Sequence, residues 1–105
     1  MAAEFSVDTF EAQVLGSSQP VLVDFWSDGW PPCKRLGPVI DELAEDNDGK
    51  ATVGKVNVGD HMELAVQYGI AAVPTLLLFK GGEVIERIQG YKDKDELQKV
   101  LDAHA

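Results

Sequence analysis

Cysteine is nearly absent from this sequence, since Cys33 is the only one among 105 residues. A single thiol cannot form a disulfide within the chain, so the fold must depend on its hydrophobic core, and a reducing compartment suits it. His61 and His104 are the only histidines. Without a second cysteine or a paired spacing they make a poor metal site, so we expect neither a metal nor another cofactor.

Basic residues are also scarce. Nine Lys and Arg stand against eighteen Asp and Glu, a formal net charge of -9, which argues against nucleic acid and anionic membranes as partners because both bind basic surfaces. The longest apolar run, residues 70–79, contains Pro74 and Thr75 and is too short to span a bilayer. The first residues lack the basic and apolar regions of a secretory leader. We therefore expect a cytoplasmic protein and a single domain over residues 1–105.

Four segments are predicted to form strands. Residues 21–26, 52–58 and 75–79 are apolar runs without polar alternation, which is typical of strands buried on both faces. Residues 83–89 are more polar and follow a Gly-Gly pair. That pair favours a hairpin turn, so we predict an edge strand paired with the strand before it.

Helical signals fall between these strands, near residues 10–15, 39–49, 62–68 and 94–104. Each of the last two segments begins after an aspartate that is followed three positions later by a glutamate. The pairs are Asp60 with Glu63 and Asp93 with Glu96, and this spacing indicates a side-chain cap at the helix N-terminus. With a short first strand, the order of elements predicts an α/β fold. Its central sheet is mixed, with helices on both faces.

The most specific motif lies at residues 21–34, which read Val-Leu-Val-Asp-Phe-Trp-Ser-Asp-Gly-Trp-Pro-Pro-Cys-Lys. This segment resembles the thioredoxin family, in which a strand ending in Asp, an aromatic residue and Trp precedes Trp-Cys-Gly-Pro-Cys-Lys at a helix start. Aligned without gaps, the matching residues are Asp24, Phe25, Trp26, Pro32, Cys33 and Lys34. The resemblance continues in order and spacing at residues 37–38, 55–58, 68–70, 73–75, 79–82 and 90. It implies a thioredoxin fold over essentially the whole chain.

The chain departs from the family pattern at three adjacent positions. Gly29 stands where the family usually has Trp, Trp30 stands on the first cysteine, and Pro31 replaces Gly. Disulfide reduction needs an exposed thiolate that attacks and a second thiol that resolves the mixed disulfide. An indole cannot attack a disulfide. The resemblance thus implies descent from protein-disulfide reductases, with this chain impaired in the reaction, and whether it is an enzyme stays open.

The remaining site residues follow from the resemblance. Cys33 matches the resolving thiol, and we expect it to be shielded, one residue after a helix start at Pro32 and turned toward the loop of Pro74. Asp24 matches a buried aspartate that assists proton transfer in the family, and Lys55 matches the lysine that modulates it. Burial in an apolar strand predicts a raised pKa for Asp24. A buried ion pair without a catalytic role is the alternative.

Pro74 matches the family's cis-proline, whose loop pairs with an extended substrate segment. With Trp30, Pro31, Val73 and Gly90 it would form a flat apolar surface for substrates. The further positions assigned to that surface are Gly69, Ile70 and Ala72.

Three hypotheses follow. The first is a thioredoxin lacking its nucleophile, a monomer whose dithiol parent reduces protein substrates and is recycled by thioredoxin reductase. The second is a redox-inert binding module that uses the surface of Trp30, Pro74 and Gly90. The third is single-thiol chemistry at Cys33, through an intermolecular disulfide or a shared iron–sulfur cluster. Trp30 is either a partner anchor or an engineered or incidental loss of cysteine, since the two codons differ by one nucleotide.

Overall fold

The computed structural model describes residues 1–105. Nine segments make up the fold, and the first helix continues from α-helical into a π-helical turn. They are β1 (Ala3–Glu4), α1 (Val7–Phe10, continued by Glu11–Leu15), β2 (Val21–Trp26), α2 (Pro31–Asp46), β3 (Thr52–Asn57), α3 (Met62–Gln67), β4 (Thr75–Lys80), β5 (Glu83–Gln89) and α4 (Lys94–Ala103). No helix in the fold combines the length and the hydrophobicity that a membrane-spanning segment needs.

The strands form one five-stranded sheet in the order β1-β3-β2-β4-β5. The pairs of β3 with β1 and with β2 are parallel, whereas β4 is antiparallel to both β2 and β5. The predicted mixed sheet is therefore confirmed, and β5 lies at its edge. Gly81 and Gly82 join the last two strands with φ values of 60° and 81°, the positive range that a tight hairpin turn requires.

Two hydrophobic clusters cover the two faces of the sheet. Phe10 of α1 and Leu64 of α3 belong to one cluster, and Leu36 of α2 and Leu97 of α4 belong to the other. Along β2, Val21, Val23 and Phe25 contribute to the first cluster and Leu22 to the second. Because side chains alternate along a strand, Asp24 lies on the same face as Leu22, beneath α2.

Two predictions about helix starts need correction. Helix α2 begins at Pro31 rather than Pro32, with Trp30 as its N-cap, because both prolines suit the first turn and neither has an N–H to lose. Asp60 does not cap α3, whose N-cap is His61 without a side-chain bond. A tight turn precedes α3 instead, because the Asn57 carbonyl accepts the N–H groups of Asp60 and His61 at 3.2 and 3.0 Å.

The other predicted cap is confirmed, since the Asp93 side chain accepts the Glu96 N–H at 2.9 Å at the start of α4. The ends of two strands shift by one residue from the prediction, β3 stopping at Asn57 and β4 extending to Lys80. Helix α2 ends at Asp46, three residues before Gly49.

Candidate active site beneath the second helix

Asp24 is a buried carboxyl group in the middle of β2. The residue is 1% exposed, and its Oδ1 has no hydrogen-bond partner. Its neighbours in the sheet are Lys55 on β3 and Leu76 on β4. Burial raises the pKa of Asp24 from 3.8 to about 7, while the positive charge of Lys55 acts in the opposite direction. The carboxyl group can therefore carry a proton near neutral pH.

A small cavity of about 130 Å³ opens onto this carboxyl group where β2, β3 and α2 meet. It is lined by Asp24, Trp26, Cys33, Lys34, Gly37 and Lys55. Three of the residues singled out from the sequence, Asp24, Cys33 and Lys55, are thus brought together by the fold. Cys33 thus shares a cavity with Asp24 and Lys55.

Cys33 lies in the first turn of α2 and is 3% exposed. Burial raises the pKa of its thiol, a backbone hydrogen bond involving Ser27 lowers it, and the nearby charge of Asp24 raises it again, so that the net direction is upward. The dipole at the helix N-terminus favours a thiolate, but burial outweighs it here. Cys33 is therefore a protonated, shielded thiol at neutral pH.

Trp30 caps the N-terminus of α2 with its backbone alone. Its carbonyl accepts the N–H of Lys34 at 3.1 Å, and its side chain makes no capping bond. The residue is 51% exposed, so its ring is available to another molecule. Pro31 and Pro32 follow it and have no N–H groups, which leaves the helix start with fewer donors for an anion than an ordinary first turn has.

The loop before β4 lies next to the end of β5. The peptide bond between Val73 and Pro74 is cis, and the Pro74 carbonyl accepts the Gly90 N–H at 2.8 Å. Thr75 secures the same loop by donating its hydroxyl to the Ala72 carbonyl at 2.7 Å. Pro74 and Gly90, which the sequence assigns to one surface, are therefore direct neighbours.

An apolar groove runs beside this loop, with a volume of about 510 Å³. Its lining is Val58, Met62, Ala65, Val66, Gly69, Ile70, Ala71, Ala72 and Val73. Gly69, Ile70, Ala72 and Val73 were predicted from the sequence as part of the docking surface. Met62 and Val66, which are largely exposed, were not. Their spacing of four residues on a short helix was the available signal, since it places both on one helical face.

Asp41 is a third residue of the site region that was not predicted from the sequence. Lys55 Nζ lies 3.3 Å from Asp41 Oδ1, whereas no ion pair joins Lys55 to Asp24. Lys55 therefore acts on Asp24 through its charge at a distance. No group of three or more His, Cys, Asp or Glu side chains that could hold a metal ion occurs anywhere in the chain, including this site.

Comparisons with known proteins agree with this architecture. The family model described as thioredoxin matches residues 1–103. Thioredoxin 1 of a Nostoc species is 43% identical over 103 residues, which cover 98% of this chain and 96% of the relative. Thioredoxin 2 of Chlorobaculum tepidum is 45% identical over 101 residues, covering 96% and 93%. Mouse mitochondrial thioredoxin is 40% identical over 92 residues, covering 88% of this chain and 55% of that protein.

Proposed function

The chain belongs to the thioredoxin family, and from that premise we propose that it is a member of the disulfide oxidoreductase lineage whose nucleophile position is occupied by Trp30. Residues 1–105 would act as one monomeric domain in the cytoplasm, without a metal or cofactor. The dithiol form would act on protein disulfides and be recycled by thioredoxin reductase. The chain as it stands would not turn over disulfides.

The observation that carries this proposal is the state of Cys33. It is the only thiol in the chain, it is buried, and its pKa is raised. Reduction of a disulfide takes two electrons, which a dithiol supplies by becoming a disulfide itself. A lone thiol that attacks a disulfide stops at the mixed disulfide, because no second thiol is present to release the product.

Asp24 and the loop of Pro74 have separate roles in this proposal. Asp24 would hold the proton that the Cys33 thiol loses or gains, since both line one cavity. The surface formed by Pro74, Val73 and Gly90, with Trp30 and Pro31 beside it, would bind an extended segment of the substrate protein. Lys55 would tune Asp24 through its positive charge.

Insulin reduction driven by dithiothreitol tests the proposal. We expect negligible catalysis by the parent chain and clear catalysis by Trp30→Cys. The control is the same variant with Cys33→Ser, which should be far slower because only dithiothreitol from solution can then release the mixed disulfide. A parent chain that reduced insulin as fast as Trp30→Cys would contradict the proposal.

A redox-inert binding function is the second candidate, and the exposed ring of Trp30 favours it. A half-exposed tryptophan at a helix start can fill a pocket on a partner protein, as tryptophans at binding hot spots do. Under this function Trp30→Ala would weaken the binding of a captured partner by tenfold or more, about 1.4 kcal/mol or above. Trp30→Cys would then remain without turnover, which separates the two candidates.

A further inference from the structure

Lys55 has two carboxyl groups within reach of its side chain. It is the register partner of Asp24 on the neighbouring strand and lines the cavity of Asp24. Its ammonium nevertheless lies 3.3 Å from the carboxylate of Asp41. A lysine side chain is a flexible four-carbon stem with a compact charge at its end, so the charge can be placed near either carboxyl group.

The geometry of α2 explains where the ammonium lies. Cys33, Gly37 and Asp41 follow one another at intervals of four residues, which places them along one face of the helix. A Cβ atom added to Gly37 would lie 3.9 Å from Lys55 Nζ, so the ammonium rests over the part of this face that has no side chain. Cys33 and Asp41 lie about 6 Å along the helix on either side of Gly37.

Asp41 is itself fixed in place by the N-terminal segment. Its Oδ1 accepts the backbone N–H of Ala2 at 3.1 Å. Partial burial raises the pKa of Asp41, but the hydrogen bonds from Ala2 and Lys55 outweigh this and hold the pKa below its ordinary value. Asp41 therefore remains charged at the pH at which Asp24 is protonated.

Solvation favours the outer carboxylate as the partner of Lys55. The side chain of Asp41 is 37% exposed and that of Lys55 21%, whereas Asp24 is almost completely buried. An ion pair at the outer position retains water around both charges, while a pair at Asp24 would require their desolvation. Apart from Lys55, the titratable groups that line the cavity are Cys33 and Lys34, both from α2.

We propose that Asp41 is a positioning residue, which holds the Lys55 ammonium at the outer end of the cavity and so leaves Asp24 without an ion-pair partner. Burial favours the protonated form of Asp24 near neutral pH, and the charge of Lys55 opposes this only weakly while its ammonium is paired with Asp41. This role of Asp41 involves only Asp24, Asp41 and Lys55 and is independent of the residue at position 30.

The test is an NMR titration of the Asp24 carboxyl carbon in Asp41→Asn. The amide oxygen of Asn can still accept the Ala2 N–H, so the N-terminal contact is retained. Freed from Asp41, Lys55 should move toward Asp24 and lower its pKa by about half a unit or more, roughly a threefold change in proton affinity. Asp41→Ala, in which no acceptor remains, should give the same direction.

Two controls separate positioning from a general loss of negative charge. Glu42→Gln removes a charge from the next residue of α2 and should leave the pKa of Asp24 unchanged. In a Lys55→Met background, Asp41→Asn should no longer lower the pKa, because the ammonium is absent. The proposal is overturned if Asp41→Asn and Asp41→Ala leave the pKa of Asp24 in place, or if an equal drop persists with Lys55→Met, since the effect would then be direct repulsion between two carboxylates.

Discussion

The buried carboxyl group of Asp24 should make the stability of this protein fall as the pH rises. Its pKa is 3.8 when exposed and about 7 in the folded chain. Between these two values the folded state binds a proton that the unfolded state has released. Stability therefore decreases with pH over this range, and the full cost is present above pH 7.

The magnitude follows from the size of the shift. Each pKa unit corresponds to about 1.4 kcal/mol, so the shift of Asp24 lowers the free energy of unfolding at high pH by about 4 kcal/mol. At pH 5 part of this loss has already occurred, which leaves about 3 kcal/mol to be lost between pH 5 and pH 9. Because the residue is almost fully buried, solvent screening reduces this figure little.

Asp24→Asn is the matched variant, since it preserves the shape of the side chain and has no charge at any pH. Urea unfolding followed by tryptophan fluorescence at pH 5 to 9 would give both free energies. The unpartnered amide of Asn adds an offset that does not depend on pH. We expect the stability of the parent relative to Asp24→Asn to fall by about 3 kcal/mol from pH 5 to pH 9. Parallel pH profiles, or a relative rise, would refute the reasoning.

Three further predictions concern the thiol, the sheet and the helix contact. Cys33 should react with iodoacetamide far more slowly in the native protein than in the protein unfolded in urea, because the native thiol is buried and its pKa is raised. Equal rates in the two states would favour single-thiol chemistry. Gly54→Ala should destabilise the fold by about 1–3 kcal/mol, since the added Cβ would overlap the ring of Phe5. The control in the same unfolding assay is Gly37→Ala, because a Cβ at that position would make only an ordinary van der Waals contact. The side chains of Asn47 and Gln98 are joined by two hydrogen bonds of 2.7 and 2.9 Å. A double-mutant cycle with alanine at both positions should therefore give a coupling free energy of about 1 kcal/mol. If the two substitutions change the free energy of unfolding additively, the pair does not stabilise the fold.

The fold was largely predictable because its strongest signals are local. The apolar runs of β2 and β4 have no polar alternation, and both strands are buried almost throughout. The Gly-Gly turn and the Asp93 cap depend on neighbouring residues and are confirmed. The Asp60 cap was wrong because Asn57, three residues earlier, closes a turn that places Asp60 outside the N-cap position.

The site was predictable only in part, because its remaining features depend on distances across the fold. Asp24 was expected to be buried with a raised pKa, and it is. Which of the two carboxylates pairs with Lys55 depends on the distance and orientation of α2 relative to β3, and no local sequence pattern determines these. The exposure of Met62 and Val66 likewise depends on which face of the short helix α3 meets the sheet.

The cost of Asp24 bears on the choice between the two candidate functions. A binding module has no need of a buried carboxyl group that lowers stability above neutral pH by about 4 kcal/mol, whereas under the proposed function the carboxyl group would move the proton of the resolving thiol. The placement of Asp24 beside Cys33 in one cavity therefore favours the first proposal, in which Trp30 would occupy the position of a lost cysteine. Under that proposal, adding Asp24→Asn to Trp30→Cys should slow insulin reduction by tenfold or more. A general acid–base group usually contributes about a hundredfold or more to the rate, so tenfold is a lower bound. The same substitution in the parent should only stabilise the fold above pH 7. Unchanged turnover in Trp30→Cys with Asp24→Asn would remove the catalytic reason for the carboxyl group.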